Sequence, residues 1–288
     1  MQNEKKIKTI IVIALFLIEI FVWTTSSSGN FQSFDGNAKP PAVIGSNDLP
    51  GGGRPDQSGG QQPGQGNEGP EEPKGQDGGN GYPTPDDPNR EKALEEAKAK
   101  GLLILVNKEH PVDQNYKPDD LSEVKYYAPD RDKAARYMRA EAAEAFDMLV
   151  EKAAEEGVVI KMTTAYRSYN FQKILFDSYV KKEGEEKANT YSAKPGQSEH
   201  QTGLSVDVSS PSVDYQLSND YGKTAEGKWL ANNAYRFGFI LRFLQGKENI
   251  TGYQYEPWHI RYVGLTAAKE IYEQGLTLEE YLLKNEIE

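Results

Sequence analysis

The sequence contains no cysteine. Disulfides, thiolate metal ligands, a cysteine nucleophile and a lipid-modified cysteine anchor are thereby excluded. Histidine is scarce too: of 288 residues only His110, His200 and His259 carry imidazole, so imidazole chemistry must use one of these three. Positive charge is in deficit. Lys+Arg 33 against Asp+Glu 44 leave a formal net charge of −11, and no basic block stands outside the first few residues. No nucleic-acid partner is therefore expected. A repeat of the solenoid kind is also absent.

What is present is unevenly spread. Residues 1–28 read as a signal-anchor or signal peptide. Lys5, Lys6 and Lys8 precede an apolar run from Ile10 to Ile18, and the stretch from Ile7 to Trp23 covers about 17 residues, the lower limit for a bilayer-spanning helix. Glu19 lies near one end of that stretch, where it reaches the interface. No clear Ala-x-Ala site follows, which tilts the reading toward a retained anchor. Residues 29–89 are a Gly/Pro-rich linker without apolar periodicity, including Gly51-Gly52-Gly53 and Pro83-Thr84-Pro85. Such composition cannot bury enough apolar surface to offset chain entropy, so a disordered tether is expected. Residues 90–288 are long enough for one core.

Within that body, helices are expected over residues 90–100, 130–156, 169–182, 226–237, 265–274 and 278–283, with strands over 102–106, 158–164, 204–208, 239–243 and 258–262. Short strands mixed irregularly with helices predict an α+β fold: one domain with a small, mainly antiparallel sheet packed by helices.

Two neighbourhoods carry chemistry. The first runs Gly196-Gln197-Ser198-Glu199-His200-Gln201-Thr202-Gly203-Leu204-Ser205-Val206-Asp207, the second Tyr255-Glu256-Pro257-Trp258-His259-Ile260-Arg261. Asp207 falls inside an apolar strand, where an ionised carboxylate is costly unless a cation pairs with it. A metal ion would do so, with His200 from the preceding turn as a second ligand. Pro257 excludes a regular helix through Glu256 and His259, so these are not the two ends of an HExxH helix. Together the clusters offer two imidazoles, one ligating carboxylate and one spare carboxylate. Three protein ligands with an open fourth position suit a catalytic zinc ion, with the spare carboxylate as general base. Spacing alone also allows a hydrogen-bonded core histidine beside a tryptophan and a satisfied strand aspartate. Glu199, beside His200 in a segment read as extended, is expected to point away from the metal. His110 is read as structural or exposed.

The two clusters resemble the paired signatures of the VanY-type zinc D-alanyl-D-alanine carboxypeptidases and the related LdcB-type L,D-carboxypeptidases, the M15B peptidases. The family's Ser-x-His-x-x-Gly-x-x-x-Asp is matched by Ser198, His200, Gly203 and Asp207, and its Glu-x-x-His by Glu256 and His259. Ala165-Tyr166-Arg167-Ser168 with Gln172, and the stretch from Leu105 to Leu121, agree as well. The resemblance implies one Zn²⁺ held by His200, Asp207 and His259, with Glu256 activating the water. It implies that Arg167 binds the terminal carboxylate or the developing oxyanion, a task that suits a bidentate guanidinium. Ser198, Gln172 and Trp258 are further candidates for substrate contact. The implied activity is removal of a C-terminal D-alanine from peptidoglycan stem peptides, D,D-cleavage being favoured over L,D-cleavage. A non-catalytic wall-binding or signalling module of the same fold is the remaining alternative. Expected partners are the stem peptides and, through the N-terminal segment, the membrane. The protein is expected to act as a monomer outside the cytoplasm, anchored at the cell membrane or secreted to the wall.

Overall fold

The computed structural model describes residues 89–287. The expected anchor and nearly all of the expected linker lie outside the described residues. Among the described residues no helix is long and apolar enough to cross a membrane.

The domain opens with helix α1 (Arg90–Ala99). A two-stranded antiparallel ribbon follows, β1 (Leu121–Glu123) with β2 (Tyr137–Arg139), Leu121 facing Arg139. Helix α2 (Ala140–Glu155) comes next. It buries Ala142, Phe146, Leu149 and Ala153, the three- and four-residue spacing of one helix face. It stops at Gly157, whose φ is +78°. The central sheet is built from β3 (Lys161–Thr164), β4 (Ser205–Ser209), β5 (Phe239–Leu241) and β6 (His259–Tyr262), in spatial order β3-β4-β6-β5. All neighbours are antiparallel. Helices α3 (Tyr169–Glu183) and α4 (Glu185–Tyr191) lie between β3 and β4. The short helices α5 (Ala225–Asn233) and α6 (Glu248–Thr251) flank β5, and α7 (Leu265–Gln274) and α8 (Leu278–Lys284) close the chain.

The α+β architecture agrees with the sequence expectation, with two corrections. Residues 102–106 form no strand. The carbonyl oxygens of Leu102 and Ile104 accept instead from the Arg261 guanidinium, at 3.0 and 2.8 Å. An apolar run signals burial, but a side chain has taken the acceptors that a strand partner would use. The long helix expected over residues 130–156 begins only at Ala140, because the preceding residues form a short 3₁₀ turn (Lys133–Ala135) and then pair as β2. Arg139 fixes that pairing through an ion pair with Asp120 at 3.0 Å and a backbone bond to Gly203 O.

Strand periodicity gives the sheet two different faces. Val206 and Val208 of β4 and Ile260 and Tyr262 of β6 belong to the apolar core, with Phe146 and Leu149 of α2. Phe239 meets Phe146 edge-on at 6.3 Å between ring centroids and Tyr262 at 5.2 Å. The alternate residues are Ser205 and Asp207 on β4 and His259 and Arg261 on β6. Every residue of both strands is buried. A buried polar face must find partners for its donors and acceptors, and the chemistry of the fold collects there.

Candidate active site

Register brings the first two site residues together. Asp207 on β4 stands directly opposite His259 on β6, the closest placement two strands provide. His200 arrives from a 3₁₀ turn (Glu199–Thr202) that ends at Gly203. Gly203 has φ +69°, and a Cβ there would stand 3.0 Å from Leu121 Cδ2 and 3.3 Å from Arg139 N. Both conformation and space therefore require glycine at this turn. The end of β3 clamps the turn from the other side. Arg167 N donates to His200 O at 3.1 Å, and His200 Nδ1 donates to Ala165 O at 2.7 Å. A carbonyl oxygen can only accept, so Nδ1 carries the proton and Nε2 keeps its lone pair.

That lone pair faces Asp207, with Nε2 3.3 Å from Oδ2. His259 presents Nδ1 to the same carboxylate, 3.0 Å from Oδ1. One ligand atom from each of His200, Asp207 and His259 lies within 4.8 Å of the others. Two bonds of about 2.0–2.1 Å at a tetrahedral angle put donor atoms about 3.3 Å apart, so these separations suit neighbouring ligands of one small cation. A second observation points the same way: among the described residues Asp207 Oδ1 is buried without a hydrogen-bond partner. The donor set of two imidazoles and a carboxylate fits Zn²⁺.

Electrostatics support the assignment. Burial pushes the Asp207 carboxyl up, but the imidazoles of His200 and His259 outweigh it and hold the group below the usual carboxylate range. Burial lowers the pKa of His200 and favours the neutral ring that a ligand needs. His259 behaves oppositely: burial lowers it, but the carboxylates of Asp207 and Glu199 on either side of the ring raise it to about 9. The cation-seeking field that holds a proton there also favours a metal ion.

Glu256 is buried with its Oε2 3.7 Å from His259 Nδ1. Burial pushes its carboxyl up to about 8, against the pull of His259. Arg167 is half-buried beyond the end of β3. Its Nη1 donates to Gln172 Oε1 at 2.7 Å, and Gln172 Nε2 donates to Ala193 O at 2.6 Å. Gln172, a candidate for substrate contact, thus has its amide engaged in bracing Arg167. Ser198 is buried, and its hydroxyl does not cap the turn that follows. Trp258 is half-buried and packs against the hydrophobic core. His110 is exposed, its Nδ1 3.0 Å from Asn107 Oδ1.

Glu199 requires a correction. Its segment is a 3₁₀ turn rather than extended chain, and its carboxylate lies beneath the site. Oε1 accepts from Arg242 Nε at 2.7 Å and Arg261 Nη1 at 2.9 Å, while Oε2 accepts from Ser205 Oγ at 3.0 Å. Arg242 and Phe243, which follow β5, carry no signal in the sequence that marks them as site residues; the Phe243 ring lies 4.9 Å from that of His259.

The comparisons agree with this geometry. Residues 135–265 match the family model VanY, D-alanyl-D-alanine carboxypeptidase. YodJ of Bacillus subtilis (strain 168) is 47% identical over 185 residues, covering 64% of this chain and 67% of its own. A solved structure of the LdcB LD-carboxypeptidase is 48% identical with a TM-score of 0.60, covering 62% of this chain and 85% of that one. A variant of the vancomycin-resistance D,D-pentapeptidase VanY, solved with Zn(II), is 34% identical with a TM-score of 0.53, covering 63% and 98%. Motifs, site geometry and matched length converge, and the chain belongs to the VanY family of carboxypeptidases.

Proposed function

We propose that this protein is a zinc-dependent carboxypeptidase that removes the C-terminal D-alanine from peptidoglycan stem peptides. The observation that carries the proposal is the meeting of His200, Asp207 and His259 around an unpartnered, buried Asp207 oxygen, with Glu256 beside it. When bound, the ion supplies Lewis-acid polarisation of the scissile carbonyl and acidifies the attacking water. The chain's own groups do the rest. Glu256 takes a proton from water as the oxygen bonds to the carbonyl carbon, then returns it to the leaving amine as the C–N bond breaks. A carboxyl whose pKa is raised by burial lies nearer both partners in that exchange. Arg167, oriented by Gln172, has guanidinium N–H groups to offer the substrate carboxylate or the oxyanion that develops during attack. Ser198 and Trp258 are secondary candidates for substrate contact.

D,D-cleavage is the first reading, supported by the family description and by the D,D-pentapeptidase relative. The L,D alternative has a specific observation in its favour, since identity to the LD-carboxypeptidase LdcB is 48% against 34% to that VanY enzyme. A purely binding module has no use for a buried general base at Glu256. The leader and tether read from residues 1–89 support work outside the cytoplasm, membrane-anchored or secreted. Mass spectrometry of products from pentapeptide and tetrapeptide stems tests the reading. Loss of one alanine from the pentapeptide alone supports D,D-cleavage, loss from the tetrapeptide alone supports L,D-cleavage, and loss from neither by zinc-loaded protein rejects the proposal.

A further inference from the structure

Glu199 is a carboxylate divided between two tasks. Oε1 is held by two guanidiniums, those of Arg242 and Arg261. Both arginines are 0% exposed. Oε2 accepts from Ser205 Oγ and lies 3.4 Å from His259 Nε2. That contact has an ion-pair separation without hydrogen-bond alignment, and among the described residues Nε2 is buried with no hydrogen-bond partner. The other side of the ring matters equally. His259 turns Nδ1 toward Asp207, so a ring that ligates through Nδ1 must keep its proton on Nε2. A buried N–H needs an acceptor, and Glu199 Oε2 is the carboxylate beside it.

The support behind Glu199 is unusually deep. Arg242 is also gripped by Glu279 of α8, with Nη1 to Oε2 at 2.9 Å and Nη2 to Oε1 at 2.6 Å. Asn107 Nδ2 donates to Glu279 Oε1 at 3.1 Å. Arg261 is pinned by the carbonyls of Leu102, Ile104 and Tyr262. Two carboxylates and two guanidiniums make a charge-neutral cluster in which each member has partners. Such a cluster is costly to assemble and rigid once assembled. It also explains why the last helix and the loop over residues 102–107 are joined to the floor of the site.

We propose that Glu199 is a positioning residue of the metal centre: it fixes the tautomer and tilt of His259 from behind, and the Arg242–Arg261–Glu279 cluster holds Glu199 in place. The proposal rests on the zinc reading of His200, Asp207 and His259. Outer carboxylates on ligating histidines are worth about 10–100-fold in metal affinity, and that is the expected effect here.

The test measures zinc affinity of the full-length protein by competition with a chelator. Glu199→Gln is expected to bind zinc about 10–100-fold more weakly than wild type. Glu270→Gln breaks a partly buried ion pair that touches no residue of this cluster, that of Glu270 with Arg90; it is expected to lower the melting temperature and leave zinc affinity unchanged. NMR of the zinc-loaded protein supplies a signature that general destabilisation would not move. A slowly exchanging ring proton on His259 Nε2 is expected in wild type and is shifted and exchange-broadened in Glu199→Gln. Should Glu199→Gln fail to fold, the charge-balanced pair Glu199→Gln/Arg242→Gln takes its place, with the same expected loss. Wild-type zinc affinity in the Glu199 variant, or equal weakening in the Glu270 variant, overturns the proposal while leaving the zinc reading intact. A wild-type protein that takes up no zinc overturns both.

Discussion

Asp207 and Glu256 are both buried carboxyls, yet their surroundings drive them apart. Asp207 has an imidazole on each side and stays ionised, the state a metal ligand requires. Glu256 lies farther from any cation, and burial raises it to about 8. Two carboxyls with separated pKa values are the mark of divided labour between ligand and base. Glu256→Gln is therefore expected to keep zinc and to lose about 10²–10⁴-fold in turnover, measured by D-alanine release alongside elemental analysis. The substitution also has a pH signature in chelated protein. A carboxyl raised from 4.5 to about 8 in the folded state leaves stability intact below pH 4.5 and erodes it as pH climbs through 8. The amide lacks that liability, so the stability difference should open in the variant's favour across this window.

Among the elements, β4 and β6 do most to create the site. Their residues alternate between polar and apolar, as a half-exposed strand would, but both strands are wholly buried. Asp207 is legible in the sequence as a carboxylate inside an apolar run, and His200 and His259 as two of only three imidazoles. Arg261 and Ser205 share that polar alternation, but what they serve depends on Glu199, which approaches from a turn whose conformation no periodicity reveals. The helices α7 and α8 were readable within one residue at their ends because apolar spacing and the Gly275–Thr277 break define them. The Leu102–Val106 run departs from its expected strand because burial is visible in sequence while the identity of the hydrogen-bond partner is not. Gly203 joins turn to strand, and its role is testable. Gly203→Ala adds a methyl against Leu121 and Arg139 at a φ of +69°, and a loss of about 1–3 kcal/mol is expected from denaturant melts. The His200–Asp207 spacing should loosen with it.

On the scale of the whole molecule, the described domain uses one sheet for two purposes, with an apolar face turned to α2 and a polar face turned to the site. Residues far apart in sequence are joined through the polar side: Leu102 and Ile104 to Arg261, Asn107 and Arg242 to Glu279 of α8. Such wiring depends on tertiary contacts between distant segments, which is why the sequence yielded the ligands before it yielded their supports. The proposed catalysis depends most on His200, Asp207 and His259 sharing one ion. Elemental analysis after equilibrium dialysis tests this directly, with wild type compared against His200→Ala, Asp207→Asn and His259→Ala. One zinc per wild-type chain is expected, and a near-complete loss in each folded variant. Stoichiometric zinc retained by any of the three at wild-type affinity would contradict it.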